Sequence, residues 1–306
     1  VAIAGQISHY AQLALAAYAR LETSQVVPST LIPADFSEAA AARFAGEWRL
    51  VDQFEHTDEP FWTYDPETGA PSGPYAESNG CSATVFENIL THERVLAIRG
   101  TNDVHDIATD VVSVAALGST RNQGQYQSLR TKVQEWIASG VLPTHFAVTG
   151  HSPGGFLAIG LALEFPQLVE HAYLYNAPGV GGLTGRTSLA EIARAYHISG
   201  ASVDPSKFTN VRAKPGLSLV AGLGEQPSAP ILVEGEDHGG WLIGADNHLM
   251  KFLVDSLAIH DAFGRLGNGA GDSLESIGRI VLGSSERRLG KLEGALDALR
   301  TTVLGA

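Results

Sequence analysis

Six consecutive residues, Gly150-His151-Ser152-Pro153-Gly154-Gly155, set a serine hydroxyl in a Gly-x-Ser-x-Gly frame. A serine hydroxyl is a weak nucleophile until a neighbouring base takes its proton. Its attack on an acyl carbon also needs fixed donors for the charge that develops on the carbonyl oxygen. The flanking residues supply a mount for that chemistry. An apolar run, His145–Thr149, precedes the frame, and Phe156–Leu163 follows it with helical character. A strand, a sharp turn and a helix would present Ser152 at the tip, over the C-terminal edge of a sheet. The glycines suit a turn in which strand and helix backbones come close. His151 flanks the serine but points away along the turn and reads as structural.

One residue of the frame works against the reaction. The residue after the nucleophile normally donates its backbone N–H to the oxyanion. Here it is Pro153, which has none. Losing one such donor typically costs ~3 kcal/mol of transition-state stabilisation. Proline also restricts the residue before it, here the nucleophile. The same proline suits the first position of the following helix. Another N–H would have to serve the oxyanion, or the activity is attenuated.

The strand, Gly-x-Ser-x-Gly turn and helix are the nucleophile elbow of α/β-hydrolases. A chain of 306 residues with 44% hydrophobic content is long enough for one large α/β domain with an appendage. Net charge is −13, from 33 acidic against 20 basic residues. That balance argues against nucleic acid as a partner, and against binding anionic lipid head groups by charge alone. The single Cys81 excludes an intrachain disulfide and a cysteine-rich metal site. No Asp-x-Asp-x-Asp loop suggests calcium. No cofactor or metal is expected, and no apolar run is long enough for a membrane span. The chain starts at Val1 without a signal-peptide pattern, as a processed or cloned fragment would.

Apolar periodicity organises the rest. Residues 5–21 read as an amphipathic helix capped near Ser8, and 35–45 as a second, shorter one. Trp48–Phe54 alternates like a strand. Residues 56–79, rich in Pro, Gly and acidic side chains, read as an excursion loop. Cys81–Phe86 and Arg94–Ile98 form a hairpin, and 124–139 a helix ending at Gly140. Tyr173–Tyr175, Phe208–Arg212 and Ile231–Val233 read as later strands, with helices over 187–197 and 248–264. Residues 270–306 differ in character. Their spaced Leu and Ile residues, broken at Gly283-Ser-Ser285, predict two amphipathic tail helices. The division is therefore an α/β-hydrolase domain over 1–264 and a helical tail over 265–306.

A second chemical element closes the hairpin: Arg99-Gly100-Thr101-Asn102-Asp103, with Asp110 eleven positions after Arg99. Here the chain resembles the fungal-type class 3 lipases, which carry an Arg-Gly-[Ser/Thr] step at the end of a central strand. Leu15-Ala-Ala-Tyr18, the Ser-Ala-Thr-Val-Phe hairpin, Tyr175-Asn-Ala-Pro-Gly179 and Asp246-Asn247-His248 extend the likeness over about residues 5–264. The variant, with its Leu-Glu…Leu-Asp-Ala-Leu tail, looks like the lipase-like module of large secreted bacterial proteins. The resemblance implies that Thr101 offers its N–H and hydroxyl to the oxyanion, and that Asp110 holds the Thr101 side chain. Asp110 also reads as a plain surface carboxylate. The stretch 103–117, ending in the apolar run Val111–Leu117, corresponds to a lid that swings away at a lipid surface; it reads equally well as core. Extracellular location follows from the same likeness, with the cytoplasm as the alternative.

The triad order in this fold is Ser, acid, His, so the base is a histidine late in the chain. His248 fits best, just before the last helix, with His238 as runner-up. The acid belongs just past the strand Phe208–Arg212. The matching slot reads Ser218, and Lys214–Leu217 offers no carboxylate. Asp204 is the selected acid from its spacing to the nucleophile, although it precedes the strand and sits towards the wrong edge. Asp237, Asp246 and Asp255 lie nearer the histidines, and a Ser-His dyad aided by Ser218 or water is the further alternative. Two functions from different classes follow. One is a serine ester hydrolase acting on lipid or small esters through an acyl-enzyme on Ser152. The other is a degenerate module that binds lipid or a partner with little turnover.

Overall fold

Strands covered by helices on both sides must be apolar on both alternating sets of side chains, and the middle strands of this chain are. In β5 (Arg94–Ile98), Val95 and Ala97 join one buried cluster, while Leu96 and Ile98 join another. β6 (Phe146–His151) divides the same way, with Ala147 on the first side and Phe146 and Val148 on the second. In β7 (Val169–Tyr175), Tyr173 and Tyr175 face the first cluster, and Ala172 and Leu174 the second.

The computed structural model describes residues 3–55, 61–64, 71–75, 80–100, 120–178, 204–214, 226–234 and 250–266. In chain order the helices are α1 (Ile3–Ala16), α2 (Pro28–Leu31), α3 (Glu38–Glu47), α4 (Thr120–Ala138), α5 (Pro153–Glu164) and α6 (Met250–Leu266). The other strands are β1 (Trp48–Glu55), β2 (Phe61–Tyr64), β3 (Pro71–Tyr75), β4 (Ser82–Asn88), β8 (Phe208–Lys214) and β9 (Pro230–Glu234). Seven strands form one sheet in the order β1-β4-β5-β6-β7-β8-β9. β1, β4 and β5 pair antiparallel, and β5 through β9 pair parallel. α1 and α6 pack together on one face, and α5 covers the other, with α4 against it.

The hydrolase-type α/β architecture expected from the elbow is therefore present, and local details differ in instructive ways. α1 begins at Ile3, not near Ser8. Ser8 is buried inside the helix, because packing against the sheet overrides a capping preference. Ser37 does cap α3, accepting the Ala40 N–H. The span 56–79 is not wholly loop, since β2 and β3 form an antiparallel ladder within it. Residues 187–197 and the tail 270–306 lie outside the described residues.

Candidate active site

A sharp reversal from β6 into α5 requires a backbone conformation that L-residues avoid. Ser152 takes it, with φ 54° and ψ −128°. Holding a non-glycine residue there costs on the order of 1–3 kcal/mol, and the surroundings must enforce it. They do. The Ser152 N–H donates to the Tyr175 carbonyl at 2.9 Å, and the Ser152 carbonyl accepts from Gly155 N–H at 2.9 Å. A Cβ at Gly150 would meet the Gly154 carbonyl carbon at 2.5 Å, and one at Gly154 would strike the carbonyls of Ile98 and Arg99. The glycines thus let α5 start directly against the ends of β5 and β6. Ser152 is only 2% exposed.

Pro153 is the first residue of α5, where its missing N–H belongs to the helix's unpaired first turn. It offers no donor to an oxyanion. The expected conflict with the nucleophile does not arise, however. Proline disfavours the right-handed helical region for the residue before it, and the elbow does not use that region.

The sheet brings a second backbone to the serine. β5 and β6 run parallel with Ile98 opposite Gly150, so the Arg99-Gly100 step ends beside the elbow. A Cβ at Gly100 would lie 3.3 Å from Ser152 Cβ and 2.6 Å from the His151 carbonyl oxygen. Arg99 is anchored by its N–H to the Ser82 carbonyl at 3.0 Å and by its guanidinium to Glu55 at 2.9 Å. The Gly100 N–H donates to the Tyr18 hydroxyl at 3.1 Å, and that hydroxyl lies 2.8 Å from His151 Nδ1. His151 is buried and points to Tyr18, in keeping with a structural role. Burial pushes the Tyr18 phenol up, against weaker lowering by Gly100 N–H and Arg99, so it stays protonated.

The next two strands close the same edge. Asn176, just past β7, is buried with φ 45°. Its N–H donates to the Val211 carbonyl, and its Oδ1 accepts the Ala213 N–H, both at 2.9 Å. The C-terminal ends of β5 to β8 are thereby stitched into one rim.

Asp204 is not part of that rim. It precedes β8, which runs parallel to β6 and β7, so it sits at the opposite edge of the sheet from Ser152. It is exposed and caps a short 3-10 turn, accepting from the Ser206 N–H at 3.0 Å and the Ser206 hydroxyl at 2.7 Å. Those bonds from Ser206 hold its carboxyl below the usual range. The choice of Asp204 as catalytic acid is therefore corrected. Spacing along the chain does not report which end of a strand a residue occupies. His260 is buried in α6, and Asp255 on the same helix is half-buried. Thr101, Asp110, the stretch 103–117, His238, His248, Ser218, Asp237 and Asp246 lie outside the described residues; His248 comes two positions before α6. Sequence reasoning missed Tyr18 and Asn176 as builders of this rim. The only sequence signal for either was its place in a segment resembling class 3 lipases.

A mostly parallel sheet bearing a serine at a positive-φ strand-to-helix elbow on its C-terminal edge is an α/β-hydrolase fold. Scans against protein-family models and against curated proteins find no match. Among solved structures the chain is similar to the Lip2 lipase of Yarrowia lipolytica, at 17% identity over 81% of this chain and 92% of that one, with a TM-score of 0.45. It is similar to lipase II from Rhizopus niveus at 17% identity, over 71% of this chain and 74% of that one, with a TM-score of 0.38. A triacylglycerol lipase whose catalytic centre is described as a serine-protease triad matches at 14% identity, over 68% and 70% of the two chains, with a TM-score of 0.41. Superpositions this loose do not argue for function, and the fold assignment rests on the strand order and the elbow. Among the described residues no helix is long and apolar enough to cross a membrane, and no group of three His, Cys, Asp or Glu side chains converges as a metal would need.

Proposed function

We propose that the protein is a serine ester hydrolase that cleaves acyl esters through an acyl-enzyme on Ser152. The observation that carries this reading is the strained elbow, with Ser152 held at φ 54° against the end of β5. Strain of that kind persists only where the rest of the fold enforces it, and here it fixes one serine at the tip of the strand-to-helix turn.

In this reading His248 takes the Ser152 proton as the hydroxyl oxygen bonds to the acyl carbon. The carbonyl π electrons move to oxygen, and Thr101, supported by Asp110, donates to that oxyanion. Collapse of the intermediate breaks the ester C–O bond, and the protonated imidazole returns the proton to the departing alcohol. Water then repeats the cycle on the acyl-enzyme, with the same imidazole as base, and releases the acid. The stretch 103–117 would cover the site and meet the lipid with its apolar run Val111–Leu117. The acid partner of His248 belongs after Lys214, where β8 delivers the chain to the rim.

Pro153 favours a second reading, a hydrolase-derived module that binds lipid or a partner with little turnover, because the first turn of α5 lacks one N–H. A fluorophosphonate probe separates the two. Stoichiometric labelling of the wild-type protein, absent in Ser152→Ala, is the expected result. A folded wild-type protein that stays unlabelled and does not cleave p-nitrophenyl esters would overturn the hydrolase reading.

A further inference from the structure

The ladder between β5 and β6 ends at the Ile98–Gly150 pair. Beyond it, two backbones must still keep a set distance, because Gly100 leads into the proposed oxyanion donor and His151 leads into the nucleophile. The side chain that spans them comes from neither strand. Tyr18 lies just past α1, and its hydroxyl reaches both Gly100 and His151.

We propose that Tyr18 is a positioning residue that holds the oxyanion strand end against the nucleophile elbow through the chain Gly100 N–H, Tyr18 hydroxyl, His151 Nδ1. The inference rests on the serine-hydrolase reading for its catalytic consequence, and on geometry for the chain itself. The Gly100 N–H has only a proton to offer, so the Tyr18 oxygen accepts it at 3.1 Å. In the proposed chain the phenol's own hydrogen goes to His151 Nδ1, 2.8 Å away. In that arrangement Nδ1 is the acceptor and the ring proton sits on Nε2. The join has no slack. A Cβ at Gly100 would come within 2.5 Å of the Tyr18 hydroxyl oxygen and 2.6 Å of the His151 carbonyl oxygen. Removing the hydroxyl leaves Gly100 free to drift relative to Ser152, and displacements near 1 Å in such sites cost about 10²-fold in rate.

The test compares wild-type protein with Tyr18→Phe, His151→Asn and His151→Leu. Tyr18→Phe is expected to lower kcat on p-nitrophenyl esters by roughly 10- to 100-fold. KM should change little, because the misalignment acts in the transition state. His151→Asn offers an acceptor oxygen near the Nδ1 position and should retain more turnover than His151→Leu. In the wild-type protein, 15N NMR should find Nδ1 of His151 unprotonated, and the Gly100 amide should exchange faster in Tyr18→Phe. A folded Tyr18→Phe with wild-type kcat overturns the proposal. If that variant does not fold, equal turnover in the two His151 variants overturns it. A wild-type protein that fails to label overturns the hydrolase reading instead, and the hydrogen-bond chain then stands or falls on the His151 nitrogen assignment.

Discussion

The two edges of the central sheet are built from the same strands with a different balance of contacts. At the C-terminal edge hydrogen bonds predominate, with one ion pair, Arg99 to Glu55: Ser152 and Asn176 have positive φ, and Tyr18 joins Gly100 to His151. At the other edge ion pairs cluster around the β4–β5 hairpin, where His92 also has positive φ. The Glu87 carboxylate in β4 is buried between Arg49, His92 and Arg94, with the Arg94 Nε donor at 2.6 Å. Arg94 also donates to the carbonyls of Gly140 and Val141, fastening the β4–β5 hairpin to the end of α4. One edge concentrates hydrogen bonds around the elbow, and the other concentrates paired charge around Glu87. Substitutions at the first should change turnover and leave stability, and at the second the reverse.

The largest expected effect is at the first edge. His248→Ala should lower ester turnover by about as much as Ser152→Ala, roughly 10⁴-fold or more, since nucleophile and base act as a unit. Both should melt near the wild-type temperature. If His238→Ala removes activity and His248→Ala does not, the base has been assigned to the wrong residue. Pro153→Leu comes next and should act upwards. A restored N–H at the first helical position should raise kcat about 10²-fold, the lower range for one oxyanion donor, with KM nearly constant. A fall in rate would mean that Pro153 shapes the elbow productively.

What was legible in the sequence follows the same division. The elbow was readable because its constraints are local: close glycines, an apolar strand before and a helix after. The boundaries of β1, β5 and β8 came within a few residues for the same reason. Tyr18 was readable only as part of a familiar-looking segment, because its partner His151 is 133 positions away. No local pattern encodes a bond that forms when α1 docks on the sheet. Ser8 misled for a related reason, since a capping preference is worth about 1 kcal/mol and helix packing outweighs it. Asp204 failed on direction, because only the parallel pairing of β8 with β7 decides which end of the strand faces Ser152.

At the ionic edge the expectation is a change in stability alone. Burial pushes the Glu87 carboxyl up, but hydrogen bonds from Arg94, His92 and Arg49 outweigh it and hold the group at about 2, down from 4.5. The depressed value makes the native state the weaker proton binder. The stabilisation is therefore complete above pH ~4.5 and is lost as pH falls towards 2. The shift corresponds to roughly 3 kcal/mol at neutral pH, and solvent around the half-exposed Arg49 and the exposed His92 brings it nearer ~2. Glu87→Gln should lower the urea midpoint at pH 7 and flatten the loss of stability between pH 4.5 and 2. Wild-type turnover in the folded variant would keep the two edges separate; a large loss of kcat would merge them.

The smallest expected effect tests the comparison most directly, because it concerns a carboxylate that chain spacing had assigned to catalysis. Asp204 sits at the ionic edge, exposed, with its side chain accepting from Ser206. Asp204→Asn keeps an oxygen for the Ser206 N–H, and asparagine caps helical turns about as well as aspartate. Melting temperature and kcat should both match the wild-type values. Asp204→Ala removes the cap and should lower the melting temperature slightly, again without touching kcat. A triad acid behaves otherwise: it orients the imidazole and stabilises its charged form, and replacing it with the amide costs ~10⁴-fold in turnover. A loss of that size in Asp204→Asn would require the base to reach the far edge of the sheet. The division between a hydrogen-bonded edge for chemistry and an ion-pair-rich edge for the fold would then be abandoned.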